Sequence, residues 1–147
     1  MDLGWVGEIR SVQPDLLQTL MDNDFVPVIA PIAMDRAGRS YNINADSAAS
    51  ATAVALQAEK LVYLTDVDGV LRDVHDRDSI ISRIHVDDIP RYCQTKVIHG
   101  GMIPKIENCA TSVRQGVSSV HILDGRLEHS LLLEIFTNSG IGTMIHR

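Results

Sequence analysis

The stretch that decides the fold is residues 40–71, which read SYNINADSAASATAVALQAEKLVYLTDVDGVL. Residues 46–59 are rich in alanine and contain no glycine or proline, which predicts a helix with Asp46 as its capping residue. Residues 61–65 form a β-prone run that ends abruptly at polar residues, as a buried parallel strand does where it leads into a loop. The stretch therefore predicts a helix, a buried strand and an acidic loop, and ligands bind at that end of the strands in open α/β sheets.

The segments before this stretch predict a strand, a helix and a hairpin. Residues 6–12 favour a strand, and Pro14 suits the first position of a helix whose apolar residues follow helical spacing. Residues 25–34 read as a second buried strand. Turn residues at 35–38 indicate that residues 29–34 pair with residues 39–43 in a hairpin.

Helices and strands alternate after the acidic loop as well. The pattern predicts a short helix in residues 86–94, a longer one in 100–115, a third buried strand at 119–123, a helix at 128–136 and an edge strand at 142–146. The inner face of the longer helix is predicted to comprise Ile106, Cys109, Ala110 and Val113. This alternation predicts an α/β fold, a three-layer αβα sandwich with a mostly parallel sheet.

Length and composition limit the classes of protein and partner. With 147 residues and 45% hydrophobic content, the chain is predicted to form a single domain, residues 1–147. A net charge of −6 argues against nucleic acid and anionic membranes as non-specific partners, because such binding needs an excess of lysine and arginine. No leader or membrane-spanning run is recognised, and two cysteines suit free thiols in a reducing cytosol, so a cytoplasmic protein is expected. The six histidines show no metal-ligand spacing, so no resident metal site is predicted.

Lys105 is the most informative single residue. The chain has three lysines, and this one falls in the first turn of a predicted helix, where the helix dipole makes a cation unfavourable. A bound phosphate would offset that cost, because Gly100 and Gly101 permit close approach and the helix start offers N–H groups. The alternative is an exposed lysine that carries a small energetic cost.

Other polar residues allow more than one interpretation. Asp66 and Asp68, followed by Gly69, could serve a magnesium ion, a ribose or a nucleophilic role, or they could form an ordinary Asp-Gly turn. Asn42 and Asn44 could hydrogen-bond a substrate carboxylate, or they could serve their own loop geometry.

Five motifs in order resemble the acetylglutamate kinases of the amino acid kinase family. They are Leu-Gly-Trp-Val-Gly-Glu-Ile at the start, Asn-Ile-Asn-Ala-Asp, Leu-Thr-Asp-Val-Asp-Gly-Val, Gly-Gly-Met-Ile-Pro-Lys, and a final run from His-Ile-Leu-Asp-Gly-Arg to Gly-Ile-Gly-Thr-Met-Ile. The resemblance implies transfer of the γ-phosphoryl group of ATP, with Mg²⁺, to the side-chain carboxylate of N-acetyl-L-glutamate in arginine biosynthesis. Such a reaction depends on positioning and electrostatic stabilisation, and an acceptor carboxylate needs no general base.

The resemblance also implies roles for individual residues. Lys105 would stabilise the transferring phosphoryl group, Asp46 would orient Lys105, Asn42 would hold acetylglutamate, and Asn44 would support the substrate loop. The implied nucleotide-binding residues are Thr65, Asp66, Val67, Asp68, Gly69, Val70, Leu71, Val97, Ile98, His99, Gly100, Gly101 and Met102. A candidate arginine effector site comprises His121, Glu134 and Gly140, and the implied assembly is a homo-oligomer.

The resemblance covers only the nucleotide-binding C-terminal half of the family. The N-terminal acetylglutamate-binding half, with its Lys-x-Gly-Gly phosphate loop, is expected to be absent, so the chain alone should bind ATP but turn over acetylglutamate feebly or not at all. One alternative is a non-catalytic nucleotide-binding fragment. Another is a haloacid-dehalogenase-type phosphatase, whose first motif residues 64–71 resemble, with Asp66 as nucleophile and Asp68 as acid.

Overall fold

A computed structural model describes residues 4–137 and 140–147 of the chain. Leu3, which opens the first of the five motifs, lies outside the described residues. Within them the chain forms helices α1 (Asp15–Asp22), α2 (Ala45–Ala55), α3 (Ile89–Gln94), α4 (Met102–Arg114) and α5 (Ser130–Phe136). The strands are β1 (Ile32–Met34), β2 (Ser40–Asn42), β3 (Lys60–Thr65), β4 (Arg83–His85), β5 (Ser119–Asp124) and β6 (Thr143–His146).

A four-stranded sheet in the order β3-β5-β6-β4 forms the centre of the domain. β3 runs parallel to β5 and β4 runs parallel to β6, whereas β5 and β6 are antiparallel. Two of the three pairings are thus parallel, which confirms the predicted α/β fold with a mostly parallel sheet. None of the helices in residues 4–137 and 140–147 combines the length and the hydrophobicity that a membrane span needs.

Helices cover both faces of the sheet, as a three-layer sandwich requires. Val120 and Ile122 of β5 pack with Ile106 and Cys109 of α4 in the main core, and α2 lies beside α4 on the same face. On the opposite face, His121 of β5 contacts Glu134 of α5. The predicted inner face of α4 is confirmed, since its four residues are fully or almost fully buried.

The predicted hairpin is present but short. β1 and β2 pair antiparallel, with Ala33 opposite Tyr41, around a turn that the Asp35 carboxylate holds by accepting hydrogen bonds from the N–H groups of Ala37 and Arg39. A carboxylate that bonds the backbone two residues ahead is the reason aspartate favours such turns. The hairpin leads directly into α2.

The long buried strand predicted for residues 25–34 is wrong for most of its length. Only Ile32–Met34 are in a strand, and Phe25, Val26, Val28 and Ile29 are largely exposed, with Val28 97% accessible. The prediction of a strand at residues 6–12 is also wrong, since a single bridge joins Val6 to Asn42. Both segments have strand-like sequences, but within the described residues their strand pairing is limited to these contacts with β2.

Three further local predictions need correction. Asn44, and not Asp46, caps α2: its Oδ1 accepts a hydrogen bond from Ser47 N–H at 3.0 Å, while Asp46 lies in the first turn. The last strand, β6, is internal, because β4 adds to its far side. β4 itself was not predicted, since three residues between two short helical turns give too little alternation to recognise.

Candidate active site

Lys105 and Asp46 form an ion pair between two helix starts. Lys105 Nζ donates to Asp46 Oδ2 at 2.6 Å, which joins the first turn of α4 to the first turn of α2. Both side chains are partly accessible, 22% for Lys105 and 32% for Asp46. The carboxylate offsets the unfavourable position of a cation at a helix N-terminus, and the pair remains open to a ligand.

The turn before α4 leaves two N–H groups for a ligand. Met102 and Ile103 donate their N–H groups to the carbonyls of His99 and Gly100, and Pro104 has none to donate. Within the described residues, the N–H groups of Gly100 and Gly101 have no such acceptor. Gly100 has φ +56°, a conformation that favours glycine, and a side-chain carbon at either glycine would meet nothing within 4 Å. A phosphate can therefore approach this backbone closely.

Two clefts open on either side of this turn. One, of about 410 Å³, is lined by Asn44, Asp46, Ser47, Gly101, Pro104, Lys105 and Asn108. The other, of about 330 Å³, is lined by Asp66, Val67, Asp68, Gly69, Val70, Leu71, Val74, Val97, His99, Met102 and Arg126. We call them the lysine cleft and the acidic-loop cleft.

The acidic-loop cleft brings together most of the residues predicted to bind nucleotide. All six residues of 66–71 line it, and Val97, His99 and Met102 come from the second predicted segment. Thr65 lies behind it, where its hydroxyl bonds the carbonyls of Val67 and Leu123. Ile98 is in the hydrophobic core, and Gly101 lines the lysine cleft instead.

Gly69 fixes the end of the acidic loop against β6. Its φ of +140° suits only glycine, and a side-chain carbon there would lie 2.8 Å from Thr143 Oγ1. The same Oγ1 accepts a hydrogen bond from Val70 N–H at 2.8 Å, in a fully buried position. The loop is thus anchored at its far end by a strand residue.

Asp124 and Arg126 form a clasp at the mouth of the acidic-loop cleft. Arg126 Nε and a terminal guanidinium nitrogen donate to the two Asp124 oxygens at 2.8 and 2.9 Å, and the guanidinium lies 3.9 Å from Asp68. Arg77 Nε lies 3.4 Å from the other Asp68 oxygen. The hydrogen bonds from Arg126 hold the pKa of Asp124 well below its usual range, and Asp124 in turn raises the pKa of Arg126.

Sequence reasoning missed this clasp. The His-Ile-Leu-Asp-Gly-Arg motif contains Asp124 and Arg126 and contributes to the resemblance, but neither residue is among the predicted site residues. Asp124 directly follows the predicted strand at 119–123, as Asp66 follows the predicted strand at 61–65, and that shared position is the available signal. Ser47, Val74 and Asn108 also line the clefts, and no sequence pattern singled them out.

The two predicted substrate asparagines differ in position. Asn44 lines the lysine cleft, and its carbonyl oxygen is used by the cap, which leaves its amide N–H₂ for a ligand. Asn42 lies at the end of β2, where its backbone bonds Trp5 and Gly7. Asn42 is exposed and lines neither cleft.

His121, Glu134 and Gly140 meet on the far face of the sheet. His121 Nδ1 lies 2.7 Å from Glu134 Oε1, and Glu134 Oε2 accepts a hydrogen bond from Ile141 N–H at 2.7 Å. Burial raises the pKa of Glu134, but the bonds from Ile141 and His121 outweigh it, so the pKa lies below its usual value. Their role as an arginine effector site stays a prediction.

The sequence profile of the Amino acid kinase family matches residues 1–124. The chain belongs to this family. The match includes the Leu-Thr-Asp-Val-Asp-Gly-Val stretch at the end of β3, so the phosphatase alternative is not retained.

Curated members of the amino acid kinase family are similar over nearly the whole chain. The chain is 54% identical to the acetylglutamate kinase of Methanobrevibacter smithii over 147 residues, all of this chain and 50% of that protein. It is 51% identical to the acetylglutamate kinase of Desulforamulus reducens over 144 residues, 98% of this chain and 50% of that protein. The chain thus spans about half the length of these relatives.

Solved structures agree with this fold. The N-acetylglutamate synthase from Neisseria gonorrhoeae, solved with coenzyme A and L-arginine, superposes with a TM-score of 0.88 at 31% identity over 99% of this chain and 33% of that one. The isopentenyl phosphate kinase of T. acidophilum gives a TM-score of 0.64 at 20% identity over 96% of this chain and 56% of that one. At 20% identity, the second likeness shows only that the two proteins share a fold.

Proposed function

We propose that this chain forms the ATP-binding part of an acetylglutamate kinase. The single observation that carries the proposal is the Lys105–Asp46 pair, which lies at the start of α4 beside a cleft made by the acidic loop. The names and the 51–54% identity of the curated relatives support the choice of N-acetyl-L-glutamate as phosphoryl acceptor.

In this proposal the nucleotide spans both clefts. The adenosine moiety occupies the acidic-loop cleft, whose walls include the apolar side chains of Leu71, Val97 and Met102. The phosphates cross the turn before α4, where the N–H groups of Gly100 and Gly101 can donate to them. The γ-phosphoryl group then reaches the lysine cleft.

The chemistry in the lysine cleft requires charge stabilisation more than proton transfer. An acetylglutamate carboxylate oxygen forms the new bond to the γ-phosphorus, while the bond from phosphorus to the β,γ-bridging oxygen breaks and its electrons leave with ADP. The acceptor is already ionised at neutral pH, so no base is needed. Lys105 stabilises the charge on the equatorial oxygens, and Asp46 keeps the flexible lysine side chain pointing into the cleft.

Substrate binding and Mg²⁺ complete the proposal. Asn44 would donate its amide N–H₂ to the acceptor, and Asn42 would contact acetylglutamate from outside the lysine cleft. Mg²⁺ would enter with ATP, because phosphates and one or two carboxylates suffice to hold it. Asp66 fits that part, since its carboxylate lines the acidic-loop cleft and accepts no hydrogen bond within the described residues.

Calorimetric titration with Mg-ATP tests the proposal. The wild-type chain should bind at micromolar to millimolar strength, and Lys105→Ala should weaken binding about tenfold to a hundredfold, the usual loss for a charge-assisted hydrogen bond. Lys60→Ala is the matched control, because Lys60 is an exposed lysine at the opposite end of β3. Equal affinity of Lys105→Ala and Lys60→Ala would contradict this placement of the phosphates.

A turnover assay on the same proteins tests the expected limit of the chain. The 147 residues alone should phosphorylate N-acetyl-L-glutamate feebly or not at all, since losing each charge-stabilising group of a kinase costs roughly 100-fold or more. Turnover near the enzyme median of about 10 per second would show that the chain is catalytically sufficient.

A further inference from the structure

Tyr63 contacts both members of the Lys105–Asp46 pair. Its ring centroid lies 5.2 Å from Lys105 Nζ, and its hydroxyl donates to the backbone carbonyl of Asp46 at 2.9 Å. Tyr63 is on β3 and only 6% of its surface is accessible, so it reaches the pair from beneath. No other aromatic ring stacks on a lysine within the described residues.

The ring and the hydroxyl act on different parts of the pair. A lysine ammonium on a four-carbon stem has many rotamers, and an aromatic face restricts it because the ring quadrupole attracts a cation. The hydroxyl fixes the first turn of α2, which carries the Asp46 carboxylate. Burial, with the nearby Cys109 and Asp46, raises the pKa of Tyr63 well above its usual value, so the hydroxyl stays protonated and remains a donor.

We propose that Tyr63 is a positioning residue, whose ring holds the Lys105 ammonium over the lysine cleft while its hydroxyl holds the α2 turn that carries Asp46. Its effect on phosphoryl binding rests on the proposed function, whereas its effect on Lys105 itself does not. Two substitutions separate the two contacts. Tyr63→Phe keeps the ring and removes the hydroxyl, and Tyr63→Leu removes both.

Lysine NMR in the nucleotide-free protein tests the ring contact directly. With selectively ¹³C-labelled lysine, only Lys60, Lys96 and Lys105 give signals, and Lys105→Arg identifies the signal of Lys105. The CεH₂ protons of Lys105 should resonate upfield of the other two in wild type and in Tyr63→Phe, because they lie over an aromatic face. The upfield shift should disappear in Tyr63→Leu.

A matched control comes from a second cation–π pair. Arg91 lies over the ring of Tyr92 at 5.1 Å in α3, so Tyr92→Leu removes an equivalent contact away from Lys105. That variant should leave the Lys105 signal unmoved. The proposal is overturned if the wild-type Lys105 signal coincides with the signals of Lys60 and Lys96. It is also overturned if the Lys105 signal does not move in Tyr63→Leu. If Tyr63→Leu does not fold, the proposal stands or falls on whether the Lys105 signal lies upfield of the other two lysine signals in wild type and in Tyr63→Phe.

Nucleotide affinity then tests the functional consequence. Misplacing Lys105 should weaken the binding of ATP more than the binding of ADP, because only ATP carries the γ-phosphoryl group. We expect Tyr63→Leu to lower the ratio of ATP to ADP affinity about threefold to tenfold and Tyr63→Phe to lower it less. Equal loss of both affinities would mean a purely structural role and would contradict the proposal. If the wild-type chain binds neither nucleotide, the proposed function fails, and the NMR result still decides whether Tyr63 positions Lys105.

Discussion

Ser50 and Ser112 share a buried hydrogen bond, with their hydroxyl oxygens 2.6 Å apart between α2 and α4. Ser112 Oγ also donates to the carbonyl of Asn108 at 2.9 Å, so Ser50 is left to donate to Ser112. The two helices that this bond joins are those that carry Asp46 and Lys105. The bond therefore sets the spacing of the ion pair from within the core.

The two serines should differ in their contribution to stability. Ser112→Ala leaves the Ser50 hydroxyl without its acceptor and should lower the free energy of unfolding by about 1–3 kcal/mol, whereas Ser50→Ala should cost about 1 kcal/mol or less. Urea denaturation of both variants and of the double variant measures this. A double variant that loses the sum of the two single losses would show that the hydroxyls do not interact.

Arg126 should matter for nucleotide binding through its charge. It is the one lysine or arginine among the described residues that line the acidic-loop cleft, where Asp66 and Asp68 repel phosphates. Arg126→Gln should weaken ATP binding about twofold to fivefold in low salt, and the difference should shrink at high ionic strength because exposed charges are screened. Arg114→Gln, in the last turn of α4, is the control. A difference for Arg126→Gln that persists at high salt would rule out this electrostatic explanation.

Glu134 should make stability depend on pH. Its folded pKa lies below its ordinary value, so its contribution is fully present above the unfolded pKa of about 4.3 and is lost as pH falls through the folded value. At pH 7, Glu134→Gln should lower the free energy of unfolding by about 1–3 kcal/mol, and the difference from wild type should shrink in acid.

Glu128→Gln supplies the control for that series. Glu128 pairs with His129 at 3.4 Å on the surface, where 88% of its side chain is accessible. Denaturant unfolding between pH 7 and pH 3 should show almost no difference from wild type for this variant. A Glu134→Gln difference that grows in acid would mean that the sign of the pKa shift is wrong.

The exposed apolar segment at residues 25–34 should drive self-association. Phe25, Val26, Val28 and Ile29 are more exposed than a monomer surface usually tolerates in one run. Val28→Lys should shift the sedimentation profile toward the monomer, since burying a lysine in an apolar contact is unfavourable. Leu132→Lys tests the exposed side of α5 in the same way. Dissociation by Leu132→Lys alone would place the interface on α5 and contradict this prediction.

The sequence was most informative where local pattern and tertiary environment agree. The apolar spacing of Ile106, Cys109, Ala110 and Val113 predicted the buried face of α4, because the main core lies along that whole stripe. The same holds for residues 119–123, whose uninterrupted apolar character matches a strand covered on both faces by helices.

Prediction failed where the structure depends on distant partners. Nothing local distinguishes residues 25–31 from a buried strand, because strand formation also requires neighbouring strands to pair with. Asp46 and Asn44 are both good capping residues, so composition alone does not decide between them; in the structure Asn44 caps the helix and the Asp46 carboxylate pairs with Lys105. The clasp of Asp124 and Arg126 was not predicted because Asp68, the second carboxylate near Arg126, follows β3, whereas Asp124 ends β5.

The long sequence separations in the site have a consequence for the speed of folding. Lys105 and Asp46 are 59 residues apart, Ser50 and Ser112 are 62 apart, and the bond from Val70 to Thr143 spans 73. Contacts of this range require large loops to close before they stabilise anything, so domains that depend on them fold more slowly than domains rich in local contacts. A chain in which these contacts have not yet formed therefore presents Lys105 and Asp46 without their mutual geometry.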